Sequence, residues 1–391
     1  MNFITQCFRR IQRQWLIHVF LVLQVGLFFN GLLLTFAAVQ EYTDSIMLFQ
    51  RIKGLNHAVY WTIDDSFYNS SNSTMGFSAY AAEIVDAAMD TGVVKSIGNI
   101  NTTFFPIDSE TCDLQIYNDA LARNIQLPLS SGNWFVDGNM GHPEILVDEY
   151  MGRKYPVGSF VDVNLYDVYD NRYETKQFEV IGVLDMKGYV FDFYSGGDGL
   201  TAGDFFQPLM GYAIIKESFA QIKVDNHMNT RMVFYNEDAG GSERERIDAF
   251  LKASGFIISA KSAMDNSIIS LTYRVGYELP YNMTFVVLGL LGLAASMYAS
   301  TIMNRRENAI YYICGARYGW VTGLEWIRYL MIVLISGLVT FLLSHNEFVR
   351  VFIGNSTYLF TFGTGCGLIF FVLLLTTIQN KSVKPMEELR R

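Results

Sequence analysis

The residues whose types and spacing suit binding chemistry gather in one short stretch, Asn304-Arg305-Arg306-Glu307-Asn308-Ala309-Ile310-Tyr311-Tyr312-Ile313-Cys314-Gly315-Ala316-Arg317. Two adjacent arginines, one acid, an apolar stripe and a Gly-Ala step together suit a helix at a membrane surface, with charges for orientation and apolar side chains for docking. Elsewhere the parts of familiar chemistries are missing. The five histidines, His18, His57, His142, His227 and His345, have no second His or Cys at metal-ligand spacing, so no zinc site is expected. Asp162, Asp167 and Asp170 lack the glycine and terminal glutamate of a calcium loop and read as a solvated acidic face. No Gly-x-Ser-x-Gly elbow and no Gly-x-x-x-x-Gly-Lys-Ser/Thr loop occurs. Tyr194-Ser195-Gly196-Gly197-Asp198-Gly199 is accordingly read as a surface turn or partner-binding loop. Basic clusters flank apolar blocks only, which excludes nucleic acid as a partner.

What positions the stretch is the arrangement of those blocks. No charge lies between Arg13 and Glu41, Glu278 and Arg305, Arg328 and Glu347, or Arg350 and Lys381. A bilayer core takes about 20 apolar residues per helix, and a soluble helix needs charges on its outer face, so four transmembrane helices are expected, at 16–39, 281–303, 324–344 and 356–379. Residues 41–280 hold 33 acids against 17 Lys and Arg, a charge of −16, and the rest of the chain 5 against 12, a charge of +7. Arg9, Arg10 and Arg13, then Arg305, Arg306 and Arg317, then Lys381, Lys384, Arg390 and Arg391 sit on one side by the positive-inside rule. That predicts a cytoplasmic N-terminus (1–15), a large extracytoplasmic domain (40–280), a cytoplasmic hairpin (304–323), an external loop (345–355) and a cytoplasmic tail (380–391).

Leu16 to Val39 is too long for a signal-peptide core and is expected to stay as a helix. Leu48, Ile52 and Leu55 extend it as an amphipathic stalk, and Ile268, Ile269, Leu271 and Val275 before Pro280 make a second. Cys112 is alone in the domain, so no intrachain disulfide is expected there. The fold class is α+β. Strands are expected at Val59–Ile63, Arg231–Tyr235 and Phe256–Ser259, helices at Ser78–Met89 and Ser242–Ala253, and an extended region at Val93–Phe105. These make two β-α-β units, a split ferredoxin-like module. Ser242 and Glu245 have the spacing of a capping box. An inserted β-rich lobe, about 106–230, carries strands near Ile145–Val147, Phe160–Leu165, Gln177–Leu184 and Tyr212–Ile215.

Within the spans, Gln24, Asn30, Glu325 and Arg328 are polar. Glu325 and Arg328, three apart, are expected to pair on one helix face with the charge reaching the interface. Gly289, Gly292, Ala295 and Ser296, and Gly363, Gly365 and Gly367, are expected to let helices pack closely.

One span, a large external domain, then three spans with a basic hairpin after the second resembles the MacB/FtsX-like ABC transporter permeases. Arg305-Arg306-Glu307 followed by Gly315-Ala316 resembles their Arg-Arg-x-Glu…Gly-Ala segment, with Asn308, Tyr311 and Tyr312 departing from it. Pro385-Met386-Glu387-Glu388-Leu389-Arg390 resembles their closing Pro-x-x-x-Leu-Arg. Leu127–Phe135, Val157-Gly158-Ser159 and Phe178–Val183 resemble the MacB-type core domain. The resemblance implies a non-catalytic permease subunit of a bacterial cell membrane, with no cofactor of its own. ATP and magnesium belong to a separate ABC ATPase subunit. It further implies a homo- or heterodimer with a second permease copy or paralogue, contact with membrane lipids, and an adaptor protein as a further partner. ATP-driven closure is then transmitted through the stalks, for extrusion of peptide, drug or lipid. The residues expected to meet the ATPase are Arg305, Arg306, Glu307, Ile310, Tyr311, Ile313, Gly315, Ala316 and Arg317. The alternatives are a regulator of cell-wall hydrolases like FtsX, and a sensor whose acidic lobe binds cationic peptides.

Overall fold

The computed structural model describes residues 12–63, 77–107, 110–136, 142–167, 172–192, 205–209, 211–220, 230–344 and 355–380. The 194–199 turn, Asp170, His227, His345, the 345–354 loop, Arg9, Arg10 and the closing 385–390 motif lie outside them. The chain is mixed α and β and divides into two compact units, 42–272 and a unit made of 1–41 with 273–391. In chain order the elements are α1 (Trp15–Arg51), β1 (Ala58–Ile63), α2 (Phe77–Asp90), β2 (Val94–Gly98), β3 (Ile100–Ile107), β4 (Glu110–Tyr117), β5 (Leu129–Gly132), β6 (Glu144–Val147), β7 (Phe160–Asp167) and β8 (Arg172–Leu184). Then come β9 (Tyr189–Phe191), β10 (Phe206–Pro208), β11 (Tyr212–Lys216), β12 (Thr230–Tyr235), α3 (Gly241–Lys252), β13 (Gly255–Ser259), α4 (Ala260–Ile313), α5 (Tyr318–Ser344) and α6 (Asn355–Asn380).

The first unit contains two larger sheets and the β9–β10 hairpin. The four-stranded sheet runs β13-β1-β12-β2, antiparallel at every step. Successive strand residues face opposite ways, and β1 uses both faces. Val59, Trp61 and Ile63 pack under Ala81, Ile84 and Ala88 of α2 and Ile247 and Leu251 of α3, while Ala58 and Tyr60 join a second core. The Trp61 indole N–H donates to the Leu251 carbonyl at 3.1 Å, so its polar atom is satisfied despite full burial.

The seven-stranded sheet runs β3-β4-β11-β6-β8-β5, with β7 on β8. Its pairs β4/β11 and β6/β8 are parallel. Ile145 and Val147 face one core with Ala213 and Ile215, and Leu146 faces the other with Tyr212 and Ile214. That second core gathers one face of each sheet together with Leu48, Phe49 and Ile52, Ala260 and Ala263 of α4, and an aromatic group, Phe191, Phe205 and Phe206. Phe205 stacks on Tyr60 with ring centres 4.1 Å apart.

Two local expectations shift. The extended region 93–105 is two strands in two different sheets, so the lobe begins at Ile100 and not near 106. Gly98 makes the corner: a Cβ there would stand 2.9 Å from Leu121, and Asn118 holds both sides of the corner, accepting from the Asn99 N–H and donating to the Ile97 carbonyl. The cap of α3 lies two residues earlier than Ser242. Gly240 is its N-cap, and Glu243, not Glu245, reaches back to the Gly240 N–H at 3.0 Å. Gly240 has no side chain to reciprocate, so this is half of a capping box.

In the second unit, α1, α4, α5 and the 356–374 stretch of α6 are long and apolar enough to cross a membrane. Leu21, Val25, Phe28, Phe29 and Leu32 of α1 meet Val286, Leu293 and Met297 of α4, Ile332 and Val333 of α5, and Ile369 and Leu373 of α6. Glycines permit the approach: a Cβ at Gly289 would lie 2.8 Å from Phe28, at Gly292 2.7 Å from Gln24, and at Gly365 2.4 Å from Phe29. Gly363 and Gly367 face open space.

Candidate functional site

The stretch from Asn304 is not a separate hairpin helix. α4 runs on through Pro280 to Ile313, so Arg305, Arg306, Glu307, Ile310, Tyr311 and Ile313 form its last turns. The chain reverses over Cys314–Arg317 and enters α5 at Tyr318. The stop is a Schellman turn: the Ala316 N–H donates to the Tyr311 carbonyl at 2.9 Å and the Gly315 N–H to Tyr312 at 3.0 Å. Gly315 takes φ 85° with nothing within 4 Å of where its Cβ would be, so backbone conformation alone demands glycine there.

Aromatic pairs brace the reversal. Tyr311 packs edge-on to Trp320, and Tyr312 stacks on Tyr318 at 8°. The Tyr311 hydroxyl also donates to Glu307 at 3.0 Å, one turn back. The tyrosines and Glu307 therefore build the turn. Ile310 and Ile313 remain about half exposed, 49% and 55%, and Arg306 and Arg317 are exposed with them. Ala309, on the other face, is buried. The outward face of this turn thus offers two large aliphatic side chains between two arginines.

Immediately inward lies a polar cluster that sequence reading located only in part. Glu325 and Arg328 pair at 2.5 Å, but both are buried, so the expected reach to the interface does not occur. Arg328 also donates to Ser300 and to the Tyr329 hydroxyl, each at 2.9 Å. Asn304 donates to Glu325 at 3.4 Å and accepts from the Gln14 amide at 3.0 Å. Ser300 donates to the other Gln14 atom at 3.3 Å, and Ser296 to Gln24 at 3.0 Å. The His18 ring donates from Nδ1 to the Gln14 carbonyl at 2.7 Å. Asn30, the other polar residue of the first span, is exposed. The signal for the missed members was present: Ser296, Ser300 and Asn304 recur every four residues and so share one face of α4.

The three domain motifs do come together. Ser131 and Gly132 pair with Val183 and Gly182 across β5 and β8. The Gly158 N–H donates to Val180 at 2.8 Å. Gly132, at φ 82°, would drive a Cβ to 2.2 Å from the Ile181 carbonyl oxygen, and the Trp134 indole donates to the Ala122 carbonyl at 2.8 Å. These contacts hold a sheet edge, and no set of side chains able to hold a metal occurs among the described residues.

No protein-family model and no curated protein matches the chain. Among solved structures it is similar to the periplasmic region of MacB from Actinobacillus actinomycetemcomitans, at 12% identity and TM-score 0.32 over 57% of this chain and 94% of that one. It is also similar to the extracellular domain of the ABC-type transporter YknZ from Gram-positive bacteria, at 13% identity and TM-score 0.28 over 49% of this chain and 87% of that one. At those scores the superpositions fix neither fold nor activity.

The first unit has its own buried ionisable group. Asp148 caps a short helix, Glu149–Gly152, accepting from the Met151 N–H at 2.9 Å, and its second oxygen accepts from the Gly211 N–H at 2.8 Å. Burial holds its carboxyl above the ordinary range, against the pull of those N–H groups.

Proposed function

We propose that the chain is a non-catalytic permease subunit of a bacterial ABC export or mechanotransmission system, driven by a separate ATPase subunit that binds ATP and magnesium. The reading puts both termini and the turn at 304–317 in the cytoplasm and residues 40–280 outside the cell membrane, and takes the chain to act as a dimer with a second permease copy or paralogue. It also takes the four-stranded sheet as a split ferredoxin-like module, which its fourth-first-third-second strand order supports.

One observation carries the reading. A single 54-residue helix, α4, has its first turns in the core of the α/β unit and its last turn in the exposed aliphatic and arginine face described above. Pro280, which has no backbone N–H, interrupts the hydrogen-bond ladder of that helix partway along its length. In this reading α4 is the element that passes a push applied at Ile310 and Ile313 on to the α/β unit. α1 does the same from its own end, through Leu48 and Phe49.

In this account Ile310 and Ile313 enter an apolar groove of the ATPase, Arg305, Arg306 and Arg317 set orientation, and Glu307, Tyr311, Gly315 and Ala316 shape the turn. The test is copurification of the full-length chain with an ATPase from native membranes. Charge reversal of Arg306 and Arg317, both exposed, is expected to abolish ATPase retention without altering the yield of folded chain. Undiminished retention and activity would refute the coupling role.

A further inference from the structure

We infer that Glu325 and Arg328, with Gln14, Ser300 and Asn304, are positioning residues that lock the coupling end of α4 in register against α1 and α5. The inference rests on the functional reading above, and deepens it by assigning the residues that make the coupling turn stiff.

A charged pair inside a bundle of apolar helices is expensive to bury, and an apolar pair of similar volume would serve packing as well or better. The best-attested use of such a pair is to specify register, because its partners must be met at one axial position. Here the partners come from two helices and from the residue that precedes a third. Arg328 and Glu325 are on α5, Ser300 and Asn304 on α4, and Gln14 immediately precedes α1. Asn304 is the residue next to Arg305. Its side chain is tied on one side to Gln14 and on the other to Glu325, so a slip of α4 by a single turn would break both ties and the Arg328–Ser300 bond together. By contrast the apolar packing in the bundle, among Val25, Leu32, Val286 and Leu293, is non-directional and asks for no particular hydrogen-bonding partner. The network lies directly behind the exposed turn and shares none of the exposed side chains, which separates holding the turn from meeting the partner.

The experiment uses the full-length chain in nanodiscs, with the ATPase that copurifies with it. The variant Glu325→Leu/Arg328→Met removes both charges at once, leaving no buried ion alone. A spin label on Cys314, with Cys7, Cys112 and Cys366 replaced by Ala, reports the turn independently of any ATPase. ATPase affinity is expected to stay at the wild-type value, because Arg306, Ile310 and Ile313 are untouched. Stimulation of ATP hydrolysis by the permease should fall about fivefold or more. The label spectrum should lose its immobilised component. A merely structural pair would leave both readouts unchanged once the double variant folds, and unchanged readouts overturn the inference. Should that variant fail to fold, Gln14→Leu/Asn304→Leu cuts the same ties with no charge altered, and is judged by the same two readouts. If the wild-type chain retains no ATPase, it is the functional reading that fails, and the label spectrum alone decides the lock.

Discussion

Gly54 and Gly315 both take left-handed backbone just past a long helix, at φ 93° and 85°, yet their surroundings are opposite. A Cβ on Gly54 would lie 1.8 Å from the Asn124 carbonyl oxygen, whereas a Cβ on Gly315 would meet nothing within 4 Å. The first turn is stitched into the α/β unit: Lys53 and Gln126 exchange backbone hydrogen bonds at 3.0 and 3.2 Å, and Arg51 bonds Asp185 at 2.6 Å. The second ends in exposed side chains. One helix end is thus closed by its own chain, and the other is shaped but left uncovered.

The largest expected effect comes from filling the space at the closed end. Gly54→Ala must move the Asn124 backbone, and should destabilise the α/β unit by at least about 3 kcal/mol, seen as a lower melting temperature and faster proteolysis. Next is Asp148→Ala, which leaves two backbone N–H groups without their acceptor and should cost about 2 kcal/mol. The same residue gives a pH signature. Its folded pKa is raised above the unfolded one, so its favourable contribution is complete below the unfolded value and declines as pH rises through the folded value. Denaturant midpoints should therefore fall across that window in the wild type and stay flatter in Asp148→Asn.

Gly315→Ala has room for its methyl group and meets only the backbone penalty. A loss of about 1 kcal/mol with the fold retained is expected, and a loss as large as at Gly54 would erase the contrast between the two turns. Smallest is Arg51→Ala. Arg51 is 42% exposed and Asp185 24%, so screening by water leaves at most about 1 kcal/mol to be read from the melting temperature.

How much of this was legible in the sequence follows the range of the forces involved. The charge-free blocks gave the four long apolar helices, because lack of charge is local and strong. Strand alternation located β1, β12 and β13, each within a few residues. The division of 93–105 between two sheets was hidden, since it depends on Leu121 and Asn118 crowding the Gly98 corner. The α3 cap was misplaced because Ser242 and Glu245 repeat the spacing that Gly240 and Glu243 use. Glu325 and Arg328 were visible as a pair, but their burial was not: it is decided by Gln14, about 300 residues away, and by Ser300 and Asn304. Likewise nothing in Gly363, Gly365 and Gly367 tells which one meets Phe29.

The most direct test of the open face is Ile310→Asp/Ile313→Asp in the full-length chain. Both side chains are exposed, so melting temperature and helix content should match the wild type, with a stability change within about 0.5 kcal/mol. The account predicts that this variant loses the ATPase that the wild type retains on copurification. A variant that is folded and still retains and stimulates the ATPase as the wild type does would contradict it.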